Sequence, residues 1–347
     1  MKNKRESNNS SILNELIGKL SDVDVHSENM EIVRGIFSGI VKLVDSEGGN
    51  TGNLKLINHT INEFGKAFNI FEDYKTIRKV AIFGSARIES TSNCFQMAKR
   101  FAREIVKSNF MVITGAGGGI MEAGNEGAEA ANSFGLNIKL PFEQDANRII
   151  RDDPKCVKFK YFFSRKLMFI KESDATVLFP GGFGTMDEAF EMLTLIQTGK
   201  CRPRPIILIE PEDSFFWEEW LIFIKGKLLK TNMISVNDMN LFSYHRSVKD
   251  AVAEICHFYS VYNSFQYFRD ETIIFLTRPI SNDTIERIRV KFKDIIVDDK
   301  IKIVVESNGF EKNNIWASVP FLQFKFIKRD FGRLVEMIRD INKDGGR

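Results

Sequence analysis

Short apolar runs alternate with longer amphipathic segments through the middle of the chain. The apolar runs are rich in Val, Ile, Leu and Phe, which favours buried parallel strands. The segments between them carry apolar residues at helical spacing, which favours helices that pack on one face. The predicted strands are 80–83, 110–114, 175–179 and 205–209, and the predicted helices are 92–107, 120–132, 186–198 and one that begins at 215. This alternation predicts an α/β domain with a parallel sheet flanked by helices.

The pattern changes on both sides of this domain. Residues 1–11 are polar and predict a disordered tail, and amphipathic segments at 28–44 and 54–71 predict two helices. After residue 262 the predicted elements are strands 272–277, 301–305 and 321–327 and helices 283–293 and 330–341. We therefore predict an N-terminal helical extension over 1–76, the α/β domain over 77–261 and a small α+β domain over 262–347.

Small residues stand where three of the predicted strands end. Gly84-Ser85 follows the first strand, 115–119 reads Gly-Ala-Gly-Gly-Gly after the second, and 180–185 reads Pro-Gly-Gly-Phe-Gly-Thr after the third. Glycine lets a ligand approach the backbone, and the N–H groups at a helix start attract anions. The ordinary alternative is a tight, flexible connection. Because parallel strands end at one edge of a sheet, three such turns predict a shared anion site there.

The spacing of these glycines narrows the range of possible ligands. The turns contain neither the Gly-x-Gly-x-x-Gly of dinucleotide-binding proteins nor the Gly-Lys-Ser/Thr of a P-loop. We therefore expect a smaller phosphorylated molecule. Glu188 and Glu191 follow the third turn on one helix face. We expect Glu188 in the first turn of its helix, where it serves either as an ordinary helix-start residue or as a carboxylate that faces the anion site.

Several short motifs occur together and in order between residues 77 and 260. They are Gly-Ser at 84–85, Gly-Gly-Gly-Ile-Met-Glu at 117–122, Ser-Arg-Lys-Leu-Met-Phe at 164–169, Ser-Asp-Ala at 173–175 and Pro-Gly-Gly-Phe-Gly-Thr-Met-Asp-Glu at 180–188. In this combination the chain resembles the LOG family, whose members are phosphoribohydrolases of nucleoside 5′-monophosphates. The resemblance implies a Rossmann-like fold, a nucleoside 5′-monophosphate of the AMP type as substrate, no cofactor, and a homodimer or higher homo-oligomer with active sites near the subunit interface.

The resemblance also implies roles for individual residues. Arg165 and Glu188 fall on the family's catalytic pair. The family's phosphate-binding positions correspond to Gly117, Gly118, Gly119, Gly182, Gly184 and Thr185, with Ser85 a weaker candidate. The candidates for base or ribose contacts are Met121, Glu122, Met168 and Glu191. Without the resemblance, Arg165 and Lys166 are typical of a solvated pair on an amphipathic helix.

The residues of the implied pair suit the hydrolysis of an N-glycosidic bond. The transition state of that reaction carries positive charge on the sugar, so a fixed carboxylate such as Glu188 would stabilise it and could activate water. The guanidinium of Arg165 stays charged and holds hydroxyl or carboxylate groups in a fixed fork, which favours an orienting role. The donor of a proton to the leaving base stays open between Glu122, Asp187 and Glu191.

Composition excludes some classes of function. The 49 basic and 46 acidic residues leave a formal charge of +3, which does not favour nucleic acid as a partner. The four cysteines and four histidines are scattered, so their spacing predicts neither disulfides nor a metal site. The start of the chain does not resemble a signal peptide, and no run is long and apolar enough for a membrane span. We expect a cytoplasmic protein.

Two rival functions use the same phosphate site. A carrier of a nucleotide or of a phosphorylated cofactor would bind without turnover, and it would have no need of both Arg165 and Glu188. A pyridoxal-phosphate decarboxylase would need a Schiff-base lysine, and the resemblance gives Lys166 no such role.

Overall fold

The computed structural model describes residues 27–47, 50–140, 145–304 and 319–345. The chain divides into two compact units, residues 1–65 and 66–347. The first unit contains helix α1, Ser27–Glu47, and most of helix α2, Thr51–Glu72, which confirms the two helices expected before the sheet. The predicted polar tail at 1–11 lies outside the described residues.

The second unit contains a sheet of seven parallel strands. Its strands are β1 Lys79–Phe83, β2 Met111–Thr114, β3 Ser133–Ile138, β4 Cys156–Phe159, β5 Ala175–Leu178, β6 Ile206–Ile209 and β7 Ser243–His245. Every residue of β1, β2, β5 and β6 is buried, as a sheet covered on both faces requires. The flanking helices are α3 Asn93–Lys107, α4 Ile120–Ala128, α5 Phe162–Glu172, α6 Phe183–Gln197, α7 Phe216–Phe223 and α8 Val248–Phe258. The predicted Rossmann-like α/β fold is confirmed.

Strand order places the predicted anion site. The order is β4-β3-β2-β1-β5-β6-β7, so the chain runs outwards from β1 to β4 and then returns to the other side of β1. Ala81 of β1 lies opposite Ile113 of β2 and Thr176 of β5. The three strands that end in the small-residue turns are therefore neighbours. Ligands bind open α/β sheets at such a reversal, beyond the carboxyl ends of the strands.

Some elements differ from the sequence-based expectation. The helix expected over 120–132 ends at Ala128, because Glu129 has a positive φ of 63° and only a 3-10 turn, Ala130–Asn132, follows. The strands β3, β4 and β7 and the helix α8 were not individually predicted. Strand β3 contains Gly135 and Asn137, which weaken the strand signal.

The C-terminal part forms a second sheet, which is antiparallel and contains, besides the strands expected there, a further strand at 262–268. Its strands lie in the order 296–304, 321–326, 271–276 and 262–268. Its elements are β8 Tyr262–Phe268, β9 Glu271–Leu276, α9 Asn282–Lys291, β10 Ile296–Val304, β11 Phe321–Phe326 and α10 Phe331–Ile341. Residue 305 of the expected strand 301–305 lies outside the described residues, and β10 begins earlier, at Ile296. Within the described ranges, no helix combines the length and the apolar character needed to cross a membrane.

Helix α10 packs on the α/β core through close contacts. The ring of Phe331 lies against Gly199, where a Cβ atom would meet Phe331 Cζ at 2.1 Å. The side chain of Asn342, just after the helix, accepts hydrogen bonds from the backbone N–H groups of Val261 and Tyr262 and donates one to the carbonyl of Phe258. The chain after 262 is therefore joined to the core by buried polar contacts, while the predicted domain bounds remain a prediction.

Candidate functional site

Backbone hydrogen bonds tie the three small-residue turns together. The N–H of Ser85 in the first turn donates to the carbonyl of Pro180 in the third turn at 3.0 Å. The carbonyl of Ser85 accepts from the N–H of Ile120, which follows the second turn, at 3.1 Å. The turn after β1 thus holds the other two at the carboxyl edge of the sheet, where the sequence predicted a shared site.

The approach of the first and second turns requires Gly119. Its φ is +60°, and a Cβ atom at this position would lie 2.3 Å from the carbonyl oxygen of Ser85. Both the left-handed backbone and the close contact exclude a side chain. Gly119 therefore has a structural role in joining the turns, whether or not it binds phosphate.

The N-terminus of helix α6 has open space beside it. Its first residue is Phe183, and the preceding Gly182 provides no side-chain cap. A Cβ atom at Gly182 or at Gly184 would meet no atom within 4 Å. The first N–H groups of a helix have no intrahelical acceptor and carry the positive end of the helix dipole. This end of α6 can therefore receive an anion.

A buried network of hydrogen bonds holds the second turn in place. Asn147 donates from its side chain to the carbonyl of Gly117 at 3.0 Å and to Oδ1 of Asn125 at 2.9 Å, and its backbone N–H donates to Ala116 at 2.7 Å. The hydroxyl of Thr114 donates to the same Oδ1 of Asn125 at 2.7 Å and accepts from the N–H of Ala116. These bonds hold Ala116 at its positive φ of 60°. Asn125 and Asn147 belong to none of the motifs that predicted the site.

Glu188 lies in the second turn of its helix, not in the first as expected, because α6 begins earlier, at Phe183. An end-capping role for it is therefore wrong. The side chain is buried, with 5 % of the residue exposed. Burial raises the pKa of Glu188 to about 7, while Lys166 and Arg165 oppose the rise and Asp187 and Glu191 add to it. A carboxyl group with this pKa can hold or release a proton at neutral pH.

Lys166 joins the acidic residues of α6. Its Nζ lies 2.7 Å from Oδ2 of Asp187, 2.7 Å from Oε2 of Glu191 and 3.8 Å from Oε2 of Glu188. Burial lowers the pKa of Lys166, but the hydrogen bonds to Asp187 and Glu191 outweigh burial and raise it. The sequence placed Lys166 beside Arg165 but gave no reason to assign it to the site.

Arg165 reaches the second turn from helix α5. Its Nη1 atom lies 3.7 Å from the position that a Cβ atom on Gly115 would occupy. The guanidinium carbon also lies 5.1 Å from the ring centre of Phe162 and 5.8 Å from that of Phe169. Since Arg165 also lowers the pKa of Glu188, the two predicted catalytic residues share one charged site.

The other candidate residues differ in their contacts and in their exposure. Met121 lies against the second turn, where a Cβ atom on Gly117 would meet its Cε at 2.7 Å. Glu122 pairs with Arg148, with 3.4 Å between Oε1 and Nε. Met168 is fully buried, so a substrate would reach it only if the site opened. Among the described residues, no group of three or more His, Cys, Asp or Glu side chains has the geometry of a metal site.

Of two pockets in the structure, one is lined by candidate residues and the other is not. A pocket of about 550 Å³ runs along α6 and is lined by Lys166, Phe183, Met186, Asp187, Phe190, Glu191, Thr194 and Leu195. A pocket of about 660 Å³ lies at the opposite edge of the sheet, near Arg78 and Tyr259, and contains none of the candidate residues. Pocket volume therefore does not single out the candidate site, and the candidate residues lie where the three turns meet.

Comparison with known proteins agrees with the motifs. Residues 118–255 match a family model described as "Possible lysine decarboxylase". Over 147 residues, 39 % of this chain and 72 % of the relative, the chain is 29 % identical to the cytokinin riboside 5′-monophosphate phosphoribohydrolase of Mycobacterium tuberculosis. These matches support the resemblance of this segment to the LOG family. A second relative, the probable cytokinin riboside 5′-monophosphate phosphoribohydrolase LOG6 of Arabidopsis thaliana, is 24 % identical over 168 residues, 47 % of this chain and 80 % of the relative.

Among solved structures, the molybdenum cofactor binding protein of Rippkaea orientalis is similar to 52 % of this chain and is covered over 95 % of its own length. Its identity is 18 % and its TM-score is 0.37, values that support no conclusion about function. The matched family segment contains Arg165 and Glu188 and leaves Ser85 outside.

Proposed function

We propose that this protein is a member of the LOG family and hydrolyses the N-glycosidic bond of a nucleoside 5′-monophosphate to the free base and ribose 5-phosphate. The observation that carries the proposal is the buried carboxyl group of Glu188, with a pKa of about 7, beside Arg165 and the joined glycine turns. The phosphoribohydrolase names of the two relatives support the same reaction class.

The phosphate of the nucleotide would bind at the start of α6. Gly182 and Gly184 leave open space there, and the uncapped N–H groups offer donors to a dianion. Thr185 and Ser85 add hydroxyl groups at the same edge, and the second turn, 117–119, forms the opposite wall. This placement would put the ribose between the turns and Glu188.

The reaction adds water across the bond between C1′ and the base nitrogen. As that bond breaks, positive charge develops on the sugar, and the buried carboxylate of Glu188 stabilises it at close range. Glu188 takes one proton from the attacking water as the C1′–O bond forms. The base leaves with its bonding electron pair and takes up a proton, so that one water molecule is consumed in all.

Arg165 would orient the reacting groups. Its guanidinium carries permanent charge and lies beside the second turn, within reach of ribose hydroxyls in the proposed pose. Its positive charge also favours the ionised form of Glu188, which is the form that this mechanism needs.

Product analysis tests the reaction. The protein is incubated separately with AMP, GMP, IMP, CMP and UMP, beside the Glu188→Gln variant and adenosine, and the products are separated by chromatography. We expect free base and ribose 5-phosphate from at least one nucleotide, none from adenosine, and loss of at least a hundredfold in the variant. The Glu104→Gln variant, at an exposed pair with Lys107, is the matched control and should retain activity. Intact nucleotides with a raised melting temperature would instead favour a carrier.

We also propose that the chain forms a homodimer through the face around α5 and α6. Large apolar side chains are exposed there: Phe162, Phe163, Leu167, Phe183 and Phe190. Phe183 is 96 % exposed, and a cluster of this kind is typical of a surface that meets a partner. Light scattering should give twice the chain mass, and Phe190→Asp should shift it towards the monomer. A monomer at every concentration between about 1 and 100 μM would reject this surface.

The proposed reaction is assigned to the cytoplasm on the basis of the thiols. Cys94, Cys156, Cys201 and Cys256 are all free, and burial raises the pKa of Cys94 to about 12. Cysteines that form no disulfide are typical of proteins in a reducing compartment. Fractionation of source cells, followed by detection of the protein, tests this assignment.

A further inference from the structure

Lys166 occupies a restrained position next to the proposed catalytic carboxylate. Its side chain is 14 % exposed, and it meets three carboxylates that all belong to helix α6. Asp187 and Glu191 are separated by one helical turn, so their carboxylates can hold the ammonium from two sides. The 2.7 Å contacts to this pair are closer than the 3.8 Å contact to Glu188. The ammonium is therefore fixed near Glu188 mainly by Asp187 and Glu191.

We propose that Lys166 is a positioning residue that keeps Glu188 ionised and aligned in the proposed hydrolysis. The proposal rests on the proposed function for its kinetic consequence, and on the ion-pair geometry for its effect on Glu188 itself. A lysine that only joined α5 to α6 would need one carboxylate partner. Lys166 has two close partners, Asp187 and Glu191, and they hold its ammonium where its charge also acts on Glu188.

The charges around Glu188 act in opposite directions. From α5, Lys166 and Arg165 favour the carboxylate, and from its own helix, Asp187 and Glu191 favour the protonated form. On α4, Glu122 is paired with Arg148. An opposite charge at 4–6 Å lowers the pKa of a carboxyl group by about one to three units. Removal of Lys166 should therefore raise the pKa of Glu188, and removal of Glu191 should lower it.

The pH profile of kcat/KM separates this role from simple loss of packing. The mechanism needs ionised Glu188, so the wild-type profile should rise with pH through about 7. In Lys166→Met the rise should move up by at least about one unit, with the largest loss below pH 7 and partial recovery near pH 9. Lys166→Arg should restore most of the wild-type profile. Glu191→Gln, which leaves Lys166 paired with Asp187, should move the rise to lower pH.

A direct titration keeps the inference independent of turnover. Carboxyl carbon NMR of the protein labelled at glutamate measures the pKa of Glu188, and Glu188→Gln identifies its signal. We expect opposite shifts in Lys166→Met and Glu191→Gln. Lys171→Met, at an exposed lysine on the same helix paired with Glu172, is the matched control and should leave the pKa and the profile unchanged.

The outcomes distinguish the two proposals. Opposite shifts of the Glu188 pKa without hydrolysis of any nucleotide would support the charge-setting role of Lys166 and reject the proposed function. Hydrolysis with an unchanged Glu188 pKa in both variants would support the function and overturn the role of Lys166. If Lys166→Met fails to fold, Lys166→Gln, which removes the charge and keeps a polar side chain, takes its place, and an unchanged Glu188 pKa in that variant overturns the proposal.

Discussion

The side chain of Thr185 lies directly against the backbone of Gly181. A Cβ atom on Gly181 would stand 2.1 Å from Thr185 Oγ1, and 2.9 Å from the backbone nitrogen of Ser85. The first glycine after the proline of the third turn is therefore a packing requirement where two turns meet. A Cβ atom on its neighbour Gly182 would meet nothing within 4 Å, so adjacent glycines in one motif have different physical roles.

This difference predicts opposite results for two alanine substitutions. Gly181→Ala should destabilise the protein by about 1–3 kcal/mol, because backbone and Thr185 must shift to admit the methyl group. Gly182→Ala should change the free energy of unfolding by less than about 0.5 kcal/mol, yet raise KM for the nucleotide because the methyl group enters the phosphate site. Urea unfolding and steady-state kinetics measure both effects. Equal stability losses in the two variants would contradict this assignment.

Glu188 should make the folded protein less stable as pH rises. Its pKa is raised from 4.5 to about 7 on folding, so between these values the folded state holds a proton that the unfolded chain has released. The free energy of unfolding therefore falls as pH rises through this window and levels off above it. Glu188→Gln removes the effect, so its stability advantage over the wild type should grow from near zero at pH 4.5 to roughly 3 kcal/mol above pH 7.

Urea unfolding of ligand-free protein at pH 5 and pH 8 checks this prediction. The exposed Glu104→Gln variant serves as the control, with no pH-dependent gain expected. A Glu188→Gln difference that is the same at both pH values would mean that burial does not perturb this carboxyl group.

The buried network below the second turn should matter more for substrate binding than for the chemical step. Asn147→Ala removes the bonds to Gly117 and Asn125 and frees the turn that forms one wall of the proposed phosphate site. We expect KM to rise at least fivefold with kcat within about threefold, and a stability loss of about 1–3 kcal/mol. Asn132→Ala, whose side chain bonds only the carbonyl of Ala128 among the described contacts, is the control. A fall in kcat alone would contradict the positioning role.

The C-terminal helix should be needed for the stability of the α/β core. Asn342→Ala would leave the N–H groups of Val261 and Tyr262 and the carbonyl of Phe258 without their side-chain partner in a buried setting. We expect a loss of about 2–4 kcal/mol, and deletion of residues 262–347 should prevent the remainder from unfolding cooperatively. Calorimetry measures both. An unchanged transition after the deletion would show that this part is a separable domain.

The local pattern of the sequence was enough to predict much of the fold and part of the candidate site. The strands around Ile82, Val112 and Val177 were predictable because a strand buried on both faces needs a continuous apolar run. The three turns were predictable because strand ends and glycine are neighbours in sequence. Glu188 and Arg165 were found through motifs, but the position of Glu188 within α6 was not, since a run of Gly, Phe, Gly and Thr gives little sign of where a helix begins.

The sequence by itself therefore determined the alternation of elements, the motifs and the edge of the sheet at which they meet. Only the tertiary structure decided which groups act on one another there. The pairing of Lys166 with three carboxylates, the network of Asn125 and Asn147, and the anchoring of the core by Asn342 join residues from different elements. Such contacts depend on distance and burial in three dimensions, and neither quantity is encoded in the spacing of residues along a helix or strand.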